Sequence, residues 1–246
     1  MNIPKEGMSY SDLDMKHVEE GYLSIYKKVG CTPLQVQEEI QAQIDVSSTM
    51  TYVGRLDPMA EGWFDIVFNG DMTLKEKLMA KDKTYEIDIL FGFNTDTGDI
   101  LGKVVEKGKG DISPVTLRAI LPSYVGKFIW NYPAYSSPML GKKEGDIIKQ
   151  KEIEIYSIDF LKERIISAQD LLGEITEKLS LSKMTGDFRL DEVQGAWQEK
   201  LETLTGSFVV VTIKVHCSSG AYMRTLAEKL GQELSTTALA FAIKRV

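Results

Sequence analysis

The strongest constraint on the fold is an alternation of apolar and polar residues in the segment Lys83–Phe93, which is most regular over Tyr85–Ile89. Tyr85 and Ile87 fall on one face of this segment, and Glu86 and Asp88 fall on the other. Successive side chains of a strand point to opposite faces of a sheet, so a period of two predicts a strand with one buried face. The chain must therefore build a sheet on which this strand is paired.

The remaining residues mix strand and helix patterns without the regular strand–helix–strand rhythm of a parallel sheet. Further strands are predicted at 21–26, 100–105, 152–160 and 207–215, and helices at 32–44, 71–80, 113–122, 167–181, 191–204 and 221–234. The first of these helices is predicted to begin with a reciprocal cap, because Thr32 stands before Pro33 and Gln35 follows three residues after Thr32. The turn-forming residues 94–99 predict a hairpin between the strands of 83–93 and 100–105. The predicted fold class is α+β, with a central mixed, mostly antiparallel sheet flanked by helices.

Composition indicates one main domain in a reducing compartment. The 246 residues are 43% hydrophobic and 26% charged, and we expect a domain over 21–246 preceded by a polar N-terminal arm of 1–20. Cys31 and Cys217 are far apart and predict neither a disulfide nor a zinc site. Without an apolar leader or a run of about 20 apolar residues, no membrane association is expected, and the predicted location is cytoplasmic.

The charge distribution leaves room for a nucleic-acid partner. The net charge of −7 argues against phosphate binding, which depends largely on Lys and Arg. However, residues 214–246 carry five basic against two acidic side chains, and lysines cluster at 75–83 and 142–151. A basic face on an acidic body is therefore compatible with the sequence.

The segment Tyr52–Gly62 is the best candidate for a chemical site. It places Asp57 directly before Pro58, with Gly54 and Gly62 on either side. Proline restricts the backbone of the residue before it, and the glycines permit sharp turns, which predicts a rigid loop holding one acid in a fixed pose. Asp-Pro alone is a common turn dipeptide.

Signatures of other enzyme classes are missing from the sequence. It contains no phosphate-binding loop ending in GK[ST], no HExxH, no GxSxG and no dinucleotide fingerprint. The two histidines, His17 and His216, do not suggest a Ser/His or Cys/His mechanism. Asp96 and Asp99 could ligate a metal, but within a Thr-Asp-Thr-Gly-Asp turn they more simply cap the turn. We therefore expect an acid-centred site with no cofactor and no metal.

Three features could assemble such a site: Asp57 in its loop, Tyr85 near the start of a strand, and Arg224 near the start of a helix. Backbone N–H groups and the positive end of the dipole make a helix start suitable for phosphate. Arg224 could therefore bind phosphate or pair with a buried carboxylate.

Four motifs, in order and spacing, resemble the TruB family of tRNA pseudouridine synthases. They are Gly54–Gly62, Lys83–Tyr85, Thr95–Asp99 and Cys217–Leu226, and Ile25–Thr32, Tyr132–Ser137 and Ile243–Arg245 are similar to flanking segments of the family. The similarity covers about 21–160 and 206–246. It implies a pseudouridine synthase fold and conversion of a T-loop uridine, of the uridine-55 type, to pseudouridine.

The resemblance also implies roles for individual residues. Asp57 would be the catalytic aspartate, Tyr85 would stack on the flipped-out uracil, and Arg224 would pair with Asp57. Tyr222 and Ile243 would line the nucleotide pocket. The implied partner is the T-arm of tRNA, bound by a monomer, and breaking and remaking a glycosidic bond in this way implies no metal and no redox cofactor.

The chain departs from the family pattern in four respects. Tyr52 stands where the family usually has a histidine, and we expect it to take over substrate binding. Pro138-Met139 replaces a segment that usually contains a lysine. Residues of about 164–205 are predicted to be a helical insertion, and no room remains for the C-terminal PUA domain that many members carry. Tight RNA binding is then expected to depend on the insertion or on the lysine clusters.

Two other functions remain open from the sequence. A ribosomal-RNA pseudouridine synthase is possible because Gly-Arg-Leu-Asp also occurs in that class, whereas the motifs at 95–99 and 217–226 favour the tRNA type. A non-catalytic RNA-binding or chaperone protein is the alternative of a different class. Asp57, Tyr85 and Arg224 are all present, which disfavours it.

Overall fold

A computed structural model describes residues 15–19, 21–43, 49–134, 150–182 and 188–246. The strands are β1 (Met15–Glu19), β2 (Tyr22–Lys27), β3 (Met50–Val53), β4 (Ala60–Phe68), β5 (Lys83–Phe91), β6 (Phe93–Thr95), β7 (Val104–Lys107), β8 (Gly126–Asn131), β9 (Gln150–Ser167), β10 (Ser207–Cys217) and β11 (Ala238–Arg245). The helices are α1 (Pro33–Gln43), α2 (Met72–Ala80), α3 (Pro114–Ile120), α4 (Ala168–Ser180), α5 (Leu190–Leu201) and α6 (Met223–Glu233), with a 3₁₀ turn at Leu121–Tyr124.

Nine strands form one sheet, in the order β1-β2-β4-β11-β5-β10-β9-β8, with β3 paired on β4. All neighbours are antiparallel except β11 and β4, which run parallel. The predicted α+β class and the mixed, mostly antiparallel sheet are confirmed. The alternating strand β5 lies near the middle of the sheet, between β11 and β10.

The predicted hairpin between 83–93 and 100–105 is present only in part, because β6 pairs with β7 but β5 does not take part in the hairpin. Both edges of β5 are occupied by β10 and β11, so no edge is free for the residues that follow. The chain turns out of the sheet at Gly92, which has a φ of +99°. Beyond it, β6 pairs with β7 in a separate two-stranded sheet. Partners distant in sequence therefore displaced the local pairing.

The two faces of the sheet bury different cores. Tyr85, Ile87 and Ile89 lie in a core that includes Leu226 and Leu230 of α6. Leu90 faces the opposite side, where it shares a second core with α4 and α5. The period-two pattern of β5 thus separates the side that carries α6 from the side that carries the α4–α5 pair.

All six predicted helices are present, with ends that differ by a few residues from the predicted ones. Thr32 and Gln35 form the predicted reciprocal cap of α1: the Thr32 N–H donates to Gln35 Oε1 over 2.9 Å, and the Gln35 N–H donates to Thr32 Oγ1 over 3.1 Å. The two helices predicted within the insertion appear as α4 and α5 and join β9 to β10. None of the described helices is long and apolar enough to cross a membrane.

Several predictions fall partly on other residues. Residues 15–19 of the predicted arm form β1 at the sheet edge, whereas 1–14 and 20 lie outside the described residues. The predicted end of the first helix at 44 lies outside them as well, and so do 135–149, which include Pro138-Met139 and Lys142, Lys143 and Lys149.

Candidate active site

Asp57 lies in the loop between β3 and β4. Gly54 turns the chain after β3 with a φ of +70°, and the Asp57 carbonyl accepts a hydrogen bond from the Ala60 N–H over 2.9 Å, which leads directly into β4. The next carbonyl, that of Pro58, accepts from the Gly30 N–H over 2.9 Å. One hydrogen bond therefore closes the turn within the loop, and the other joins the loop to the segment after β2.

Lys27 supports this loop through hydrogen bonds of its side chain. The sequence did not predict this role. The Lys27 side chain is fully buried, and Nζ donates to the carbonyls of Cys31 (2.8 Å), Lys28 (3.1 Å) and Pro58 (3.2 Å). Burial lowers the pKa of Lys27 to about 8, because a charged group loses its hydration. The lysine thus clamps the peptide next to Asp57 without contacting solvent.

Arg224 pairs with Asp57, as the resemblance implied. Nε lies 2.8 Å from Asp57 Oδ2 as an ion pair whose angle falls short of a hydrogen bond, and Nη2 donates to Oδ1 over 3.3 Å. Nη1 donates to the carbonyls of Thr97 (2.6 Å) and Ala134 (3.0 Å). The guanidinium therefore joins the Asp57 loop, the turn after β6 and the segment after β8.

Asp99 is a second carboxylate beside Arg224. Oδ1 accepts from Thr97 Oγ1 (2.7 Å) and the Leu101 N–H (2.9 Å), which confirms the predicted capping of this turn. Oδ2 lies 3.9 Å from Arg224 Nε, a proximity that the sequence reasoning missed. Burial raises the pKa of Asp99 to about 6 in spite of that arginine.

The charge of Arg224 is stabilised by both carboxylates. Burial alone would lower its pKa, but Asp57 and Asp99 outweigh that effect and hold the pKa above its ordinary value. Within the described residues, no group of three or more His, Cys, Asp or Glu side chains is arranged to hold a metal ion.

Tyr85 is positioned by Arg245. The sequence indicated this arginine only as the last residue of the Ile243–Arg245 segment. Arg245 Nη2 lies 3.2 Å from the Tyr85 hydroxyl and 3.3 Å from the Arg55 carbonyl. The guanidinium carbon lies 5.5 Å from the ring centre. Tyr85 is 8% exposed, and burial raises its pKa.

Ile243 and Tyr222 flank the same region. Ile243 on β11 pairs with Ala60 of β4 and Ile87 of β5, close to the end of the Asp57 loop. Tyr222 directly precedes α6, with its ring 5.6 Å from that of Tyr132. Burial raises the pKa of Tyr222 to about 12.

Tyr52 occupies a more structural setting than the other predicted residues. It lies on β3 opposite Ile66 of β4, and its N–H donates to Gln37 Oε1 over 3.0 Å. Its side chain packs against the core on the α6 side of the sheet. Substrate binding by Tyr52 stays a prediction.

The site geometry can be compared with known proteins. The sequence profile described as TruB family pseudouridylate synthase (N terminal domain) matches residues 44–185, more than half of the chain. The chain belongs to the TruB family. The matched residues include Asp57 and Tyr85, whereas Arg224 lies beyond them.

Relatives of this TruB-family chain include three proteins named tRNA pseudouridine synthase B. That of Thermosipho melanesiensis is 32% identical over 148 residues, 56% of this chain and 48% of that protein. Those of Endomicrobium trichonymphae and Ralstonia nicotianae are 26% and 27% identical, over 96% and 79% of this chain and 86% and 52% of their own lengths. The chain thus spans about half the length of two of these three relatives.

Solved structures support the fold of this TruB-family chain. The crystal structure of a Cbf5-Nop10-Gar1 complex matches with a TM-score of 0.58 and 15% identity, covering 99% of this chain and 56% of that one. The structure of an H/ACA RNP bound to a substrate RNA containing 2′-deoxyuridine matches with a TM-score of 0.56 and 14% identity, covering 99% and 55%. Together with the family membership, these matches confirm the predicted pseudouridine synthase fold.

Proposed function

We propose that this chain isomerises a T-loop uridine of tRNA, of the uridine-55 type, to pseudouridine, with Asp57 as the catalytic carboxylate. The observation that carries the proposal is the pairing of a 30% exposed Asp57 side chain with a 4% exposed Arg224. An acid held in this way is fixed from the protein side and accessible from the other. The relatives named tRNA pseudouridine synthase B support the choice of tRNA.

The proposed chemistry needs only an acid and a dry, shaped site. The C1′–N1 bond breaks, the uracil rotates, a C1′–C5 bond forms, and the proton on C5 is lost while N1 gains one. Atoms and electrons balance without an oxidant or reductant. Asp57 could attack C1′, attack C6 or remove a proton from C2′, and each route uses an ionised carboxylate in a fixed position.

The surrounding side chains are suited to a base that has left the RNA stack. Enzymes that act on a base extrude it into a pocket and read it there. In this proposal Tyr85 stacks on the uracil, Ile243 supplies an apolar wall, and Tyr222 contributes a phenol that stays protonated because its pKa is about 12. Tyr52 contributes to RNA docking from β3. The protein acts as a monomer in the cytoplasm on the T-arm.

The proposal is tested by mapping pseudouridine in total RNA from cells with and without this protein. Loss of one tRNA T-loop site in its absence is the expected result. Loss of a ribosomal-RNA site would identify the ribosomal alternative, and an unchanged map would favour a non-catalytic RNA-binding protein. Purified protein and an unmodified tRNA transcript then show whether the protein alone suffices.

A further inference from the structure

The α4–α5 pair between β9 and β10 has no part in the proposed chemistry, yet it is built into the fold. We call the described residues 168–182 and 188–201, which contain α4 and α5, the helical hairpin. Trp197 of α5 is fully buried and shares the second core with Phe93 and Leu90. Its ring centre lies 5.4 Å from that of Phe93. Removing the hairpin would uncover this core, so the hairpin is part of the domain and not an appendage.

The second helix of the hairpin holds the turn that carries Asp96 and Asp99. The indole N–H of Trp197 donates to the Ile100 carbonyl over 3.2 Å. Arg189, directly before α5, pairs with Asp96 through Nη1 and Oδ2 at 2.9 Å. Three residues further along, Glu192 pairs with Lys103. α5 and the residue directly before it therefore hold residues 96–103 through three contacts.

The first helix of the hairpin ends against the segment that holds the Asp57 loop. A Cβ added to Gly30 would lie 2.1 Å from the Leu181 carbonyl oxygen, so the two backbones are in direct contact. Gly30 also donates its N–H to the Pro58 carbonyl. Gly30 thus connects the end of α4 to the Pro58 peptide, which is next to Asp57.

Both contacts converge on the Asp57–Arg224 pair. The turn held by α5 supplies the Thr97 carbonyl, which accepts from Arg224 Nη1 over 2.6 Å, and it also carries Asp99, 3.9 Å from Nε. The segment held by the end of α4 supports Pro58. The guanidinium and the carboxylate are therefore each supported from the same hairpin.

The charge of the hairpin does not suit an RNA-gripping surface. Residues 168–182 and 188–201 carry six Asp and Glu against three Lys and Arg, a net of −3, and phosphate binding depends on Lys and Arg. We propose that the helical hairpin is a positioning device for the Asp57–Arg224 pair, with Arg189 and Trp197 as positioning residues. This inference rests on the proposed function and replaces the expectation that the insertion grips RNA.

Two variants test the proposal without dismantling the core. Arg189→Gln removes the ion pair to Asp96, and Trp197→Phe removes the indole N–H while keeping an aromatic ring. Lys200→Gln is the matched control, because it removes one positive charge from α5 and, in the described part of the chain, the ion pair of Lys200 is with the exposed Glu199. Arg189→Lys is the conservative variant and should recover part of any loss.

The kinetic readout separates positioning from RNA binding. We expect Arg189→Gln and Trp197→Phe to slow single-turnover pseudouridine formation roughly five- to tenfold, because small displacements of catalytic groups are costly, with tRNA affinity within about twofold of the unaltered protein. Asp96→Asn keeps the Oδ1 that accepts a hydrogen bond from the Lys103 N–H. Because Arg189→Gln already removes the ion pair to Asp96, the double variant Asp96→Asn/Arg189→Gln should react no more slowly than Arg189→Gln alone. Unchanged rates, or a loss of affinity in place of rate, would overturn the proposal.

A second readout does not depend on activity. Amide hydrogen exchange in a peptide spanning 95–103 should be faster in Arg189→Gln and Trp197→Phe than in Lys200→Gln, since the turn loses its support. Equal exchange in all three variants would contradict the inference. If the unaltered protein forms no pseudouridine in any RNA, the proposed function fails, and this exchange measurement alone decides whether the hairpin supports the turn.

Discussion

Arg224 holds Asp57 from a buried position, with Nε 2.8 Å from Oδ2, although the arginine side chain is only 4% exposed and the aspartate side chain is 30% exposed. The remaining donors of the guanidinium reach the carbonyls of Thr97 and Ala134. Arg224 is therefore held by several partners in the interior, whereas the Asp57 side chain stays partly exposed to solvent.

Asp57→Asn should abolish pseudouridine formation while preserving the fold. The amide keeps the size of the side chain but can act neither as a nucleophile nor as a base, so the rate should fall by on the order of 10⁴-fold or more. Product formation on an unmodified tRNA transcript measures the loss. Circular dichroism and tRNA affinity should stay close to those of the unaltered protein, and appreciable turnover in the variant would refute the role of Asp57.

Arg224→Lys should slow the reaction strongly, though less than the loss of Asp57. One ammonium cannot reach Asp57 and the carbonyls of Thr97 and Ala134 together, whereas the planar guanidinium does. We expect a rate loss of about 10²-fold and a fall of about 1–3 kcal/mol in the free energy of unfolding. Single-turnover kinetics and urea denaturation measure the two effects. A variant with normal kinetics would show that charge alone is sufficient.

The acid limb of the pH–rate profile should lie near pH 6. Asp99 has a pKa raised to about 6 by burial, and its protonation removes one of the two carboxylates beside Arg224. The rate should therefore fall as the pH drops through about 6. Asp99→Asn mimics the protonated state, so it should be slow at pH 7 and should lack this limb.

The free energy of unfolding of the unaltered protein, compared with that of Asp99→Asn, should depend on pH in the opposite direction to the rate. The folded-state pKa of Asp99 lies above the ordinary 3.8, so its contribution to stability is full below that value and is lost as the pH rises through about 6. The difference between the folded and unfolded pKa of Asp99 corresponds to about 3 kcal/mol in the free energy of unfolding. Relative to Asp99→Asn, the unaltered protein should lose stability between pH 4 and 6 in urea denaturation. A constant difference would exclude a raised pKa.

The alkaline limb should lie near pH 8 and report on Lys27. Its pKa is about 8, and loss of the proton leaves two N–H donors for the three carbonyls that Nζ now contacts. The Pro58 peptide then loses support, and the rate should decline above this pH. Lys27→Met should be slow throughout and should lack the alkaline limb.

Lys83 provides the control for that assignment. Burial lowers its pKa to about 8 as well, but its Nζ donates to the carbonyls of Met79 and Lys81 and not to the Asp57 loop. Lys83→Met should therefore keep the alkaline limb. If it removes the limb and Lys27→Met does not, the clamp has been assigned to the wrong lysine.

The sequence predicted those parts of the molecule that depend on local chemistry. The cap formed by Thr32 and Gln35 and the capping of its turn by Asp99 follow from short spacings, and they are present. The pairing of Asp57 with Arg224, 167 residues apart, was predictable only because the two motifs resemble those of one family. Neither spacing nor periodicity alone would have joined them.

Contacts between distant residues were not predictable in this way. A lysine in a sequence suggests an exposed side chain, so the buried clamp of Lys27 gave no signal. The expected hairpin formed from β6 and β7 without β5, because β10 and β11 occupy both edges of that strand. Likewise Arg189 and Asp96 are ordinary polar residues until the fold brings them to 2.9 Å.

Tyr85 allows the stacking role to be separated from the hydroxyl contact. Tyr85→Phe loses the contact between its hydroxyl and Arg245 but keeps the ring, so the rate should change only a few-fold. Tyr85→Leu removes the aromatic face, whose stacking on a base is worth about 1–3 kcal/mol, and should slow the reaction by roughly 5- to 150-fold. Tyr156→Leu, at a 40% exposed tyrosine of β9, is the matched control. Equal rates for Tyr85→Phe and Tyr85→Leu on the tRNA transcript would mean that the uracil does not stack on this ring.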